Sequence, residues 1–242
     1  MPRLLVPGPL SPASHLVLGP EHAHRLREVL RLGTGDEVTL FDGSGGEYPA
    51  VIRVLSRQQV ELETAAWRAV SRESPLEITL AQGISRGERM DYTLQKAVEL
   101  GVSRLVPIAS ARSQVKLAGE RAERRLAHWR GIITHACEQS GRDRVPELTE
   151  ILTLADFVAR DSSALRLTLA PGAPEALTAL APDAREITLV IGPEGGLAPE
   201  EIALLSSRGY RPVRLGPRVL RTETAALVAI TSLQVLAGDL GA

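Results

Sequence analysis

Long apolar runs are missing from this sequence. No window of about 18 consecutive apolar residues occurs among its 242, so no membrane-crossing helix is expected. Met1 to Leu10 carries three prolines and no apolar stretch of useful length, which argues against a secretory signal and makes the cytoplasm the expected compartment. Cysteine is almost absent. Cys137 stands alone, which excludes an internal disulfide and a cysteine-based metal site. The five histidines show no paired spacing beyond His22 and His24, so no metal is expected. Lysine is scarce too, with only Lys96 and Lys116 among 28 basic residues, a bias that carries no functional reading. A net charge of −1 removes the global basic signature of many nucleic-acid binders.

What is present is enough apolar content, 44%, for one large or two small cores. Charge is uneven along the chain. From Arg104 to Arg144 nine Lys or Arg face four acids, an excess of five, which suits a polyanion or a solvated helix face. Two regions follow different periods. Up to about Ser71, Val38 and Leu40, then Ala50, Ile52 and Val54, then Val60 and Leu62 alternate with polar neighbours around the turn FDGSGGEY. These predict successive antiparallel strands. One helix is expected over about Glu21 to Leu32, with Gly33 ending it. A small barrel with one helix accommodates this region, residues 1–72.

Beyond the polar junction Ser71 to Pro75 short apolar runs alternate with helices, the pattern of an α/β domain over residues 73–242. Strands are predicted at Leu76 to Ala81, Arg104 to Ile108, Leu165 to Leu169, Thr188 to Ile191 and Pro212 to Leu215. Helices are predicted at Arg89 to Leu100, Ala122 to Ser140, Pro199 to Ser207 and Thr224 to Ala237. This order implies a parallel sheet with ligands at the carboxyl ends of its strands.

Three loops leave such ends. VIGPEGGLAPEE (190–201) has glycines suited to close backbone approach, yet Glu194, Glu200 and Glu201 make a bare phosphate an unfavourable guest. Its spacing matches neither the dinucleotide fingerprint nor the P-loop. RLGPRVLRTETAAL (214–227) enters the last helix through Thr222, a natural N-cap, and LTLAPGAPEAL (167–177) leaves another strand, so that in chain order 167–177 is the first loop, 190–201 the second and 214–227 the third. Together they form a pocket of backbone groups and apolar walls that suits adenine. Two further segments carry cations. IASARSQVKL places Arg112, Ser113 and Lys116 after a strand. In ITHACEQSGRDRVPEL, Arg142 and Arg144 suit either a phosphate or the helix end they follow, and Cys137 reads as a small packing residue.

Taken together, HRLREVLRLGTGDEVTLFDGSG, LQKAVELGVSRLVPIASARSQVK, ACEQSGRDRVPEL, LVIGPEGGLAPEE and LGPRVLRTETA resemble the bacterial ribosomal RNA small-subunit methyltransferase E family, collinearly over nearly the whole chain. The resemblance implies an N-terminal PUA-like β-barrel that binds RNA and a C-terminal SPOUT-type parallel sheet with a trefoil knot. It further implies a homodimer, S-adenosylmethionine as cofactor, and methylation of N3 of a uridine in 16S ribosomal RNA of the small subunit. On that basis Leu169, Pro171, Gly192, Gly196, Leu215, Val219, Leu220, Thr224 and Ala225 are the expected cofactor residues. A positively charged sulfonium also removes the conflict with Glu194. Two positions depart from the family pattern: Asp143 stands where asparagine is more usual, and Ala198 replaces a hydroxyl cap.

Transfer to N3 requires an unpaired uracil and loss of its imide proton. Glu223 or Glu194 is the expected proton acceptor, and Arg221 the group that stabilises charge on the uracil oxygens. RNA docking is expected at Arg25, Arg27 and Arg31 in the barrel's helix and at Arg112, Lys116 and Arg142. Two alternatives stay open: ribose 2′-O methylation by the same knotted class, and an RNA-binding assembly protein without catalysis.

Overall fold

A computed structural model describes residues 1–115, 118–180 and 182–241. The chain forms two compact units, Met1–Glu73 with Cys137–Val145, and Ser74–Ala136 with Pro146–Ala242.

The first unit is a curled five-stranded sheet, ordered β1 (Arg3–Leu5), β3 (Glu37–Phe41), β4 (Tyr48–Leu55), β5 (Val60–Thr64), β2 (His15–Leu18). Only the β1 and β3 pair is parallel. Leu4, Leu26, Val38, Leu40, Ile52 and Leu62 are fully buried, and the expected alternation holds in β5, whereas Val38 to Phe41 of β3 are buried in succession. It fails in β4, where the register shifts between Ile52 and Val54. The bulge inserts one residue and turns Val54 outward, leaving it 42% exposed.

The helix also departs from expectation. α1 (Pro20–His24) passes into a π-helical turn, Arg25–Val29, with Leu30 N–H donating to the Arg25 carbonyl at 3.0 Å. It stops on Arg31, whose φ of 55° is left-handed, and Leu32 N–H closes the end on the Leu26 carbonyl at 2.9 Å. Gly33 is not the terminator, because the left-handed turn is made two residues earlier.

Cys137–Val145 is built into this unit by charge. Glu138 accepts from Leu5 N–H at 3.0 Å and pairs with Arg25. Glu73 accepts from Arg142 Nε at 2.9 Å and from the Asp143 and Arg144 N–H groups. Asp143 accepts from Gly46 N–H at 2.8 Å. Burial pushes the Cys137 thiol up to about 12, as befits a packing residue.

In the second unit a parallel sheet runs in the order β12 (Arg211–Val213), β10 (Leu165–Leu169), β11 (Glu186–Ile191), β6 (Glu77–Gly83), β7 (Arg104–Ala109), β8 (Glu147–Leu148), with β9 (Leu152–Thr153) also on β7. Its helices are α2 (Glu88–Glu99), α3 (Glu120–Ser140, its last four residues in the first unit), α4 (Leu154–Arg160), α5 (Pro199–Ser207) and α6 (Thr222–Ala237). β10 and α5 match their predicted bounds. Strands β8 and β9 have two residues each, too few for a period, and α4 follows them unannounced, its start capped by Thr153 accepting from Asp156 N–H at 3.1 Å.

Alternation across the register makes three layers. Ala81, Val106 and Val190 face α4 and α5 through Phe157, Val158 and Leu205. α6 packs on α2, β6 and β11. Among the described residues no helix is long and apolar enough to cross a membrane.

Candidate active site

Sheet order places the three loops next to one another, because β12, β10 and β11 are consecutive neighbours. The first and third loops are stitched together. Arg214 N–H donates to the Glu175 carbonyl at 2.9 Å, and Leu177 N–H returns to the Arg214 carbonyl at 3.0 Å. Arg214 also donates through Nη1 to the Ala173 carbonyl at 3.1 Å. Leu169 and Pro171 belong to the first of these loops, and Leu215, Val219 and Leu220 to the third. Val219 is 82% exposed.

The second loop is held from below. Thr222 Oγ1 donates to the Gly192 carbonyl at 2.6 Å and accepts from Gln82 Nε2 at 2.9 Å. Thr222 therefore does not cap α6, as its sequence position suggested. Arg221 occupies the N-cap position, and the Thr222 hydroxyl instead locks the helix start to the ends of β6 and β11. Gly196 takes a φ of 69°, and its N–H closes a turn on the Pro193 carbonyl at 2.8 Å. A β-carbon on Gly192 would lie 2.9 Å from Leu197 N, and one on Gly83 would lie 2.5 Å from Pro193 N. The glycines are thus needed for backbone to lie on backbone.

Ala198 offers no hydroxyl to α5, and Glu201 compensates in part. Its carboxylate accepts from Ala198 N–H at 2.8 Å, from Ser110 Oγ at 3.0 Å and from Ala111 N–H at 3.0 Å. The loop after β7 is drawn to the second loop in this way. Arg112 Nη1 donates to the Gly195 carbonyl at 3.2 Å, and Ser113 Oγ to the Ile84 carbonyl at 2.8 Å.

Beside these loops lies an open cleft of about 790 Å³, lined by Arg86, Gly87, Glu88, Arg89, Gln114 and Glu194. Glu194 accepts from Arg86 N–H and from Arg89 Nη1, both at 3.0 Å. Burial raises its pKa, but these hydrogen bonds and the Arg89 charge outweigh burial and hold the carboxyl below its ordinary value. The charge of Glu194 is thus met by Arg89 within the chain. Arg89 Nε also lies 3.9 Å from Glu223 Oε1. Glu223 Oε2 is buried without a hydrogen-bond partner, a costly state for a carboxylate oxygen. One arginine stands between two acids, of which one is satisfied and the other is not.

Thr224 and Ala225 lie in the first turn of α6, Thr224 exposed and Ala225 half-buried. In the first unit Arg27 pairs with its neighbour Glu28 at 2.6 Å and Arg31 is exposed. Arg25 is engaged by Glu138, and Arg142 is 5% exposed against Glu73. A guanidinium so enclosed holds the loop together and does not meet a phosphate, so Arg142 is withdrawn from the RNA-facing set. Asp143 is 1% exposed and serves the Gly46 turn. Lys116 lies outside the described residues.

Gln82, Arg86 and Arg89 were not singled out as site residues from the sequence, and Glu201 was read there only as a loop charge. The signal was in QGISRGER, a glycine-containing loop with two arginines that follows a strand, as the cationic loop IASARSQVKL also does. Among the described residues no group of three or more His, Cys, Asp or Glu side chains suits a metal.

A family model described as an RNA methyltransferase domain matches residues 72–234, and one described as an RNA methyltransferase PUA domain matches residues 25–64. The chain is similar to the ribosomal RNA small subunit methyltransferase E of Buchnera aphidicola, 30% identical over 99% of this chain and 98% of that one. Among solved structures it is similar to a Legionella pneumophila chain with the bound cofactor SAM, at a TM-score of 0.94 and 42% identity, covering 98% of each. It is also similar to a ribosomal RNA small subunit methyltransferase E from Neisseria gonorrhoeae bound to S-adenosyl methionine, at a TM-score of 0.92 and 39% identity, covering 99% of each.

Proposed function

Because the chain belongs to the ribosomal RNA small subunit methyltransferase E family, we propose that it transfers a methyl group from S-adenosylmethionine to N3 of a uridine in 16S ribosomal RNA. The observation that carries this reading is the glycine cradle of three adjacent strand-end loops, pinned by Thr222 beside the unpartnered Glu223 oxygen. The cofactor residues are then Leu169, Pro171, Gly192, Gly196, Leu215, Val219, Leu220, Thr224 and Ala225. They offer backbone groups, small side chains and apolar walls, which fit an adenosine moiety. S-adenosylmethionine supplies an electrophilic methyl group on a positively charged sulfur.

The chain's own residues have two tasks. One is to hold an unpaired uracil with N3 aligned for in-line attack. The other is to take its proton, for which Glu223 is better placed than Glu194. A carboxylate already accepting two hydrogen bonds and held below its ordinary pKa is a weak base, whereas Glu223 Oε2 has an acceptor position to spare. Arg221, with Arg89, balances negative charge on the uracil oxygens. Labelled methyl donor incubated with isolated small subunits and with naked ribosomal RNA, followed by nucleoside digestion, should yield N3-methyluridine. A 2′-O-methyl nucleoside would overturn the assigned position, and absence of both incorporation and cofactor binding would favour a non-catalytic assembly protein.

RNA docking falls to Arg27 and Arg31 in the first unit and Arg112 in the second, with Arg25 contributing through its exposed part. Arg31 allows a clean test, since a left-handed non-glycine residue costs about 1–2 kcal/mol. Arg31→Gly should keep the melting temperature within a few degrees of wild type while shrinking the salt slope of RNA binding by about one. An unchanged slope would remove Arg31 from the docking set.

We further place the protein in the cytoplasm as a homodimer. The dimer reading is supported by an apolar groove of about 340 Å³ along α6, lined by Leu227, Val228, Val235 and Leu236, with Val235 52% exposed. Sedimentation at twice the chain mass is expected, and Val235→Glu should halve it.

A further inference from the structure

Trp67 is 50% exposed, although the chain has only two tryptophans and the other, Trp129, is 1% exposed. Its position is built. The turn FDGSGGEY runs through Gly43, Gly45 and Gly46 with φ of 85°, 115° and 72°. A β-carbon on Gly46 would overlap the Nε1, Cε2 and Cζ2 atoms of the Trp67 indole, so the ring lies against bare backbone. The segment carrying it is held by Glu47 and Arg68, which exchange backbone hydrogen bonds of 3.1 and 2.8 Å in an isolated bridge. Asp143 fixes Gly46 N–H from behind.

Exposed cations adjoin this turn. Arg144, exposed, rests on the same turn, its Nη2 3.3 Å from where a Gly45 β-carbon would be. Arg68, the next residue after Trp67, is exposed, whereas Arg72 is held by Glu47 at 3.4 Å. The nearby acids are already engaged: Glu47 by Arg3 and Arg72, Asp42 by the Ser44 N–H and hydroxyl, Asp143 by Gly46, Glu73 by Arg142. An open indole beside the exposed guanidinium groups of Arg68 and Arg144, for neither of which an acid partner is found among the described residues, matches a nucleobase with its phosphates, because every base has a π-face and every phosphate a charge. A protein partner's apolar side chain would gain nothing from Arg68 and Arg144.

We propose that Trp67, on its glycine turn, stacks an unpaired base of the RNA substrate, with Arg144 and Arg68 meeting the adjoining phosphates. This rests on the RNA methyltransferase reading and adds to it a docking subsite in the first unit.

The test uses the full chain and single-stranded oligouridylate, with an abasic oligomer of the same length as reference. Trp67→Leu keeps an apolar cover on Gly46 but removes the π-face, and Trp67→Tyr keeps both. Leu should weaken oligouridylate binding roughly 5- to 100-fold and leave abasic binding unchanged, while Tyr stays near wild type. Binding should also quench the Trp67 fluorescence of the wild-type chain. Equal oligouridylate affinity of the Leu and wild-type chains, or an equal loss on the abasic oligomer, would overturn the stacking site. Failure of the underlying reading looks different: the wild-type chain would then neither bind S-adenosylmethionine nor methylate ribosomal RNA.

Discussion

Glu223→Gln is expected to slow methyl transfer by about a hundred- to ten-thousand-fold, the usual worth of a positioned base, while S-adenosylmethionine binds as in the wild type. Gln is close in size and keeps one oxygen toward Arg89 Nε, now 3.9 Å from the carboxylate, so packing changes little. What is lost is the buried Oε2, which has no hydrogen-bond partner and is free to receive a proton. Glu194→Gln should do less to the rate. Its carboxylate holds Arg86 N–H and Arg89, so its removal disturbs the arginine and not the proton transfer. Glu194 has a distinct signature in stability. Its pKa is lowered in the folded chain, so its contribution is present above the ordinary value of 4.5 and is lost as pH falls through the folded value. The wild type and Glu194→Gln should therefore differ in melting temperature at neutral pH and converge in acid. A Glu223→Gln enzyme that turns over normally would overturn the assignment of the base, and single-turnover rates measure this directly.

Gly83→Ala should abolish cofactor binding at ordinary concentrations and lower the melting temperature. The new methyl group would lie 2.5 Å from Pro193 N, 2.6 Å from its Cδ and 2.9 Å from the Gly192 carbonyl carbon. Two of those atoms are backbone and cannot swing aside, so the second loop must move as a whole. Overpacking of this kind costs about 1–3 kcal/mol or more. Displacing the loop also strains the Thr222 hydrogen bond to the Gly192 carbonyl. Gly196→Ala is the control. It meets nothing within 4 Å and pays only for a φ of 69°, so it should keep measurable binding at some cost in stability. Calorimetric titration with S-adenosylmethionine separates the two, and tight binding by Gly83→Ala would refute the cradle.

Much of the second unit was legible because its signals are local. β10 and α5 have apolar periods of sufficient length, a proline at the first helical position and a glycine after the last, and each follows from neighbours in the chain. The three loops were legible for the same reason, since glycine and proline after an apolar run mark a strand end whatever the sheet around it. Two-residue strands such as β8 and β9 carry no period, and the bulge at Arg53 shifts a register without changing the alternation that precedes it.

The residues of ACEQSGRDR show where local signals stop. Arg142 beside Arg144 looks like a phosphate site until Glu73, 69 positions earlier, is found holding its guanidinium. Thr222 looks like a cap until Gly192 and Gln82 claim its hydroxyl. Arg89 looks like one more helix arginine until Glu194 and Glu223 converge on it.

By itself, then, the sequence determined the two kinds of region, the parallel order of the second and the place of its three loops at strand ends. These rest on propensity, periodicity and the conformational freedom of glycine, all of which act over a few residues. Only the tertiary structure decided which arginines are free and which acid keeps an unsatisfied oxygen. Ion pairing and burial are settled by groups that folding brings from distant positions, and no spacing along the chain encodes them.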